Sequence, residues 1–248
     1  MPGETAAVGT VARWEANDGL VLVGYRAGGH GWVSIPGLAH YRFDRADAVV
    51  ASPDGGSDAE IEDAWLRSVL PLVLQARGTQ VLHASAVLGA DGALALCGVS
   101  TAGKSTLAAA LAARSGVRLI ADDALPFALE DGRAVVHPVP FRLRLREGSE
   151  HLDPGGGLVE AGPARLATIV LLEPHGDDGH ATVEPVAPAE AVGALMPHAY
   201  CFALEEGKAE LVAAYTGLAA IAPVHRLSYP QRPDALDDAV AVLAMLLG

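Results

Sequence analysis

At 248 residues the chain suits one α/β domain or a core with a small appendage, and a hydrophobic fraction of 51% supplies a substantial core. Its 30 acidic against 17 basic residues, a formal charge of −13, argue against a nucleic-acid partner, whose phosphates would be repelled outside a local basic patch. Two cysteines, Cys97 and Cys201, make no disulfide framework and fit a reducing compartment; with no signal-like opening and no membrane-length apolar run, a cytoplasmic protein without a membrane partner is expected.

Residues 1–56 read as short strands separated by Gly, Pro and Asp: Gly19–Tyr25, Gly31–Ile35 and Ala46–Ala51. The run Ser52-Pro53-Asp54-Gly55-Gly56 closes this small β-rich subdomain, and a second domain is expected over 57–248. Ser57 starts a helix, with Glu60 completing a capping box. Ile61, Trp65, Val69 and Val73 give that helix one apolar face, and Pro71 is expected to kink it.

Gln80–Leu88 and the apolar run Ala93–Cys97 read as a hairpin about the turn Gly89-Ala90-Asp91-Gly92. Antiparallel register then puts His83 opposite residues 98–100, with Ser85 on the same face of its strand. The stretch GVSTAGKST, Gly98 to Thr106, has the phosphate-loop pattern of a Gly, four residues, and Gly-Lys-Ser. It sits between a buried strand and an Ala- and Leu-rich helix, the order that the chemistry requires. In such a loop the amides of Gly98, Ser100, Thr101, Ala102, Gly103 and Thr106 face an anion. Lys104 reaches the outer phosphates of a nucleotide, and the Ser105 hydroxyl ligates Mg²⁺.

Val117–Ala121 is the next strand and ends in Asp122-Asp123, a Walker-B-like pair. One carboxylate, Asp122 or Asp123, is expected to hold Mg²⁺, and the other to accept a proton from an attacking hydroxyl. A turn or helix-cap acid is the competing reading of the pair. Residues 125–146 read as strands about Asp131-Gly132; along them Arg142, Arg144 and Arg146 alternate, so one Arg could face charge on a transferred phosphoryl group. His151–Gly162, with three consecutive glycines, is expected to be a mobile loop, Ala167–Leu172 a buried strand, and 189–195, 204–218 and 235–247 helices. The cluster His175, Asp177, Asp178, His180 reads as an exposed loop in preference to a metal site.

LHASAVL, GVSTAGKST and RLIADD together resemble the catalytic domain of the HPr kinase/phosphorylase family over residues 80–124, and more loosely beyond. The resemblance implies a phosphate-loop kinase core of the HPr kinase and phosphoenolpyruvate carboxykinase type. It implies MgATP as donor and a Ser hydroxyl on a peptide or protein as acceptor. In that family a His precedes the phosphate loop by a similar hairpin, as His83 does here, and His83 together with Arg142 from the alternating arginines is expected to steady the phosphates. The compact form is similar to stand-alone relatives that act on ribosomally made peptides, lasso-peptide precursor kinases among them. Two other readings stay open: a small-molecule kinase acting on a sugar or alcohol, and a nucleotide-dependent switch without transfer.

Overall fold

The computed structural model describes residues 9–15, 20–44, 48–143, 145, 152, 158–176 and 179–248. Within it the chain divides into two compact units, Met1–Thr79 with Tyr200–Lys208, and Gln80–Ala199 with Ala209–Gly248. The architecture is mixed α/β.

The first unit is an antiparallel meander of five strands, β1 (Gly9–Glu15), β2 (Val21–Ala27), β3 (His30–Ile35), β4 (Ala39–Phe43) and β5 (Val50–Pro53). Alternation along β3 and β4 puts Val33, Ile35, Tyr41 and Phe43 into a core shared with Ile61, Val69, Leu72, Val73 and Phe202. That shared core is why the unit runs on to Thr79, well past the Gly55-Gly56 punctuation at which the sequence suggests a boundary. Two helices follow the sheet, α1 (Asp58–Ala64) and α2 (Leu70–Ala76), and Ser57 with Glu60 forms the expected capping box.

Between the two helices, Trp65–Val69 forms a π-helical turn, with the Leu70 N–H donating to the Trp65 carbonyl. Proline cannot donate to the preceding turn, and its ring crowds the carbonyl four residues back. The widened turn absorbs that conflict and leaves Pro71 in the first turn of α2, where a missing N–H costs nothing.

The second unit is built on one sheet of nine strands. In chain order they are β6 (Gln80–Leu82), β7 (Ala84–Gly89), β8 (Gly92–Cys97), β9 (Arg118–Ala121), β10 (Leu125–Glu130), β11 (Arg133–Val136), β14 (Ala164–His175), β15 (Thr182–Pro185) and β16 (Val224–Pro230); a separate ribbon pairs β12 (Phe141–Arg142) with β13 (Leu158–Val159). The helices of this region are α3 (Lys104–Ala112), α4 (Pro188–Leu195), α5 (Leu204–Ile221) and α6 (Leu236–Ala244).

The pairings return on themselves. β7 pairs β8, β8 pairs β14, β14 pairs β11, β11 pairs β10, and β10 pairs β6, which continues into β7 through His83 alone. Ala86 pairs Ala121 and Leu82 pairs Leu125, so three residues on each chain, 83–85 and 122–124, face one another in an unbroken register. Ser85 therefore lies opposite Asp122, and Ala84 opposite Asp123. β8, β14 and β16 are mutually parallel, which brings their carboxyl ends to one rim. Open parallel strands present ligand sites at that rim.

Several elements differ from expectation. β4, β15 and β16 carry no strong local signal and exist through their pairing partners. Arg144, Arg146, half of the His151–Gly162 segment (residue 151 and 153–157), Asp177 and Asp178 lie outside the described residues.

Candidate active site

The chain turns sharply twice between β8 and α3. Thr101 has φ 79° and Gly103 φ 85°, both left-handed. Gly98 is excluded from carrying a side chain by contact: a Cβ there would lie 2.9 Å from the Ala102 Cβ and 3.1 Å from the Leu172 Cβ. Gly103 is the N-cap of α3 and offers no side-chain cap, so the first-turn amides of the helix are left for an anion. A Cβ on Gly103 would also meet the Tyr229 hydroxyl at 2.9 Å.

That hydroxyl donates to the Ala102 carbonyl, and two residues further on the Gln231 amide donates to the Thr101 carbonyl. The carbonyls of the strained turn are thus held from outside by the end of β16, while the Ala102 N–H closes the turn on the Val99 carbonyl at 3.1 Å. Val99 and Ser100 form the exposed crest of the loop, and Ala102 is buried beneath it.

Lys104 is buried, and its Nζ donates to the Gly98 carbonyl at 3.1 Å. Burial pushes its pKa down, opposed by the charges of Asp123, Cys97 and Asp122 in decreasing order. The amine is a cation held in place with a backbone carbonyl as its partner, which a phosphate oxygen can replace. Cys97 at the end of β8 is fully buried, and desolvation pushes its thiol up to about 12, so it is an inert packing residue.

Asp122 is buried, and one oxygen, Oδ1, accepts from the Ser85 hydroxyl at 2.6 Å and from the Ser105 hydroxyl at 2.8 Å. The Ser85 contact is the direct product of the register across the gap in the strands. Asp123 has φ 64°, and the Ala124 N–H closes a three-residue turn on the Asp122 carbonyl at 2.8 Å. On a regular strand the two carboxylates would point to opposite faces. The left-handed turn breaks the strand there, and Asp is among the residues that tolerate it. Asp123 Oδ1 then faces His83 Nε2 at 3.6 Å.

The hydroxyl of Ser105 and the carboxylate of Asp122 are the hard oxygen donors that Mg²⁺ takes. Two protein ligands suffice for that ion, because water and phosphate oxygens complete its octahedron. Among the described residues no group of three or more His, Cys, Asp or Glu side chains gathers to form an all-protein metal cage.

Three residues near the site, His198, Tyr229 and Gln231, have no counterpart in the sequence reading. The His83 N–H donates to the His198 carbonyl at 2.7 Å, and Leu82 bridges to Ala199. Burial, then His83, then Lys104 hold the His198 imidazole down to about 4, so it is neutral at pH 7. No motif marks these three; Tyr229 and Gln231 reach the loop, and His198 reaches His83, through pairings more than a hundred residues long.

No family model matches the chain, and none of the curated proteins matches it. Among solved structures it is similar to the HPr(Ser) kinase/phosphatase from Coxiella burnetii, with 11% identity, a TM-score of 0.38, and coverage of 67% of this chain and 95% of that one.

Of the residues singled out from sequence, Ser105, Asp122 and Ser85 meet directly, and Lys104 and the His83–Asp123 pair lie close enough to interact electrostatically with their neighbours. Arg142 lies in β12, opposite Leu158, on the ribbon whose Phe141 and Val159 pack into the core around α3. Of the cluster at 175–180, His180 is 93% exposed and faces Asp238 at 3.4 Å. The longest apolar helices do not reach the length and hydropathy needed to cross a membrane among the described residues.

Proposed function

We propose that the chain is a MgATP-dependent phosphotransferase with a phosphate-loop kinase core, acting on a Ser hydroxyl of a peptide or protein. The observation that carries this is the pairing of two differently placed carboxylates behind one loop. Asp122 is tied to Ser105, the metal-ligand position, while Asp123 is turned away from it to face His83. Binding alone needs one acid; transfer needs one for the metal and one for the proton.

In this reading the amides of Gly98 to Thr106 and the Lys104 ammonium hold the ATP phosphates. Ser105 and Asp122 would hold Mg²⁺, which when bound offsets charge on the phosphate oxygens. Asp123 accepts the acceptor hydroxyl's proton as the new O–P bond forms and the β–γ bridging P–O bond breaks. His83 orients Asp123, and Arg142 is assigned to the transferred group. By analogy with the stand-alone relatives, we assign a ribosomally made precursor peptide, of the lasso type, as acceptor.

The test is incubation with γ-labelled ATP, Mg²⁺ and Ser-containing peptides, followed by mapping of the label. Label on a peptide Ser that disappears with Lys104→Ala is the expected outcome. Nucleotide binding with slow hydrolysis and no labelled acceptor would sink the transferase reading.

A further inference from the structure

The sheet of the first unit ends in a feature that phosphotransfer does not use. β5 is the outermost strand of the meander and, among the described residues, pairs only with β4. Ala51 lies opposite Tyr41 and Pro53 opposite Ala39. Residues directly opposite share a face, so Ala51, Pro53 and, by alternation, Val49 lie on the side where Ala39 and Tyr41 enter the core. Tyr41 is 1% exposed and Ala39 fully buried, yet Ala51 and Pro53 are both exposed. The sheet extends one strand beyond the layer that covers it.

A groove of about 510 Å³ opens there, and all of its lining belongs to the first unit. One wall is the inward side of β5. The other is a single face of α1 and the turn after it, where Asp58, Ile61, Glu62 and Trp65 recur at helical spacing. Tyr41 forms the floor. Its hydroxyl donates to the Ile61 carbonyl at 2.8 Å, and its ring stacks on Trp65 with centres 6.2 Å apart, so floor and helical wall are tied together.

Two properties define what fits. The outer side of a terminal strand is a row of N–H and C=O groups, a template for one further strand. Pro53 has no N–H, which confines the template to Val50–Ser52. The second property is charge. Asp58 and Glu62 put two carboxylates one helical turn apart, beside the apolar surface of Ile61 and Trp65. The cation that lines the groove, Arg77, has its Nε committed to the Asp44 carbonyl at 2.8 Å. A second copy of the chain would bring the same acids to the same edge, and each copy carries a charge of −13. A basic, extended partner is the complement.

We propose that this groove docks an extended peptide segment of a partner protein, added as a further strand beside β5. One inward side chain of the segment is apolar and packs on Ala51, Tyr41 and Trp65. The inward side chain two residues away is a lysine or arginine facing Asp58 and Glu62. Main-chain bonds supply affinity, and these two side chains supply specificity. The site stands independently of the transferase reading, and either can fail without the other.

The probe is an end-blocked, fluorescein-labelled heptapeptide with isoleucine at its fourth position, lysine at its sixth and threonine elsewhere. Titrated against the full chain at constant ionic strength, it is expected to bind along a saturable one-to-one isotherm, with amide shifts centred on Val50–Ser52. Glutamate in place of the lysine should weaken binding about tenfold, and Asp58→Asn combined with Glu62→Gln should remove most of that preference. Ala51→Arg fills the groove from an exposed position, so it should abolish binding at an unchanged melting temperature. Alternate N–H groups of an added strand face β5. N-methylation of the odd positions and of the even positions should therefore differ, one set weakening binding about tenfold and the other far less. Should Ala51→Arg melt early, the methylated peptides, which leave the chain untouched, decide. Binding that does not saturate, equal losses from the two methylation sets, or indifference to the paired acid substitutions would overturn the site. So would a dimer that Ala51→Arg dissociates while the peptide fails to bind, since the occupant would then be a second copy.

Discussion

The two units bury polar groups in opposite ways. In the first, the Gln75 side-chain carbonyl accepts from the Phe202 N–H at 2.7 Å, and Ser34 is bonded to Tyr25 and His40. Each group there closes a hydrogen bond that the fold itself opened, and Phe43 packs edge-on against Phe202 with ring centres 5.3 Å apart. In the second, a lysine ammonium and a carboxylate are buried at one loop, the lysine with only a backbone carbonyl as its bonded partner. Buried neutral groups that are satisfied hold a structure together, while buried charge with a replaceable partner costs stability and is poised for a ligand.

Crossed substitutions break or sharpen that contrast. Lys104→Ala should lower phosphotransfer on the order of 10³-fold, by removing the cation aimed at the phosphates, while the melting temperature does not fall. A parallel loss of stability and activity would mean the amine is structural. Asp123→Asn should lower kcat by about 10²-fold with the ATP Kd changed less than about twofold, because it removes a proton acceptor and leaves the cradle intact. Equal losses in kcat and binding would end the case for Asp123 as base. In the first unit, Gln75→Leu strands the Phe202 N–H and should cost about 1–3 kcal/mol in urea unfolding, with nucleotide affinity unchanged.

What could be read from the sequence was local. The turn at Ala90-Asp91 fixes the hairpin register, since Gly89 pairs Gly92 and Ala84 pairs Cys97, and this brings Ser85 and His83 to the loop. The left-handed demands at Gly103 and the Ala-rich α3 are likewise written in adjacent residues. The separate destinations of Asp122 and Asp123 are not, because a run of residues with β preference gives no sign that φ turns positive at Asp123. Nor does VHRLSYP announce that Tyr229 will meet a carbonyl 127 residues away. The first-unit boundary was hidden for the same reason, as Phe202 and Ala203 join a core whose other buried members all precede Thr79.

His198 extends the contrast to pH. Its imidazole is held down to about 4 by burial, then by His83 and Lys104, against an ordinary value of 6.5. The unfolded chain therefore binds a proton between pH 6.5 and 4 that the folded chain refuses. Stability tied to the neutral ring is complete above about pH 6.5 and declines as pH falls towards 4. The full difference is worth at most ~3 kcal/mol, and water around the partly exposed ring screens it to roughly 1–2 kcal/mol. Urea unfolding of His198→Gln between pH 4 and 7 should show a slope with pH flatter than that of the parent by this amount. Identical slopes would show that His198 titrates as it does when unfolded.

Tyr229→Phe makes the smallest and most selective change. It deletes one hydroxyl and keeps the ring that packs in the core of the second unit. The Ala102 carbonyl loses its donor, and the left-handed turn at Thr101 and Gly103 gains alternatives to its ligand-ready shape. A single hydrogen bond of this kind contributes about 1 kcal/mol, so the ATP Kd should rise about fivefold. Because the loop is populated less often and acts normally when formed, kcat at saturating ATP should hold. A fall in kcat at unchanged Kd would instead place the Tyr229 hydroxyl among the groups that meet the transferred phosphate. Its bond to Ala102 would then be what the tyrosine does between turnovers, and β16 would belong to the chemistry in addition to the frame that shapes the loop.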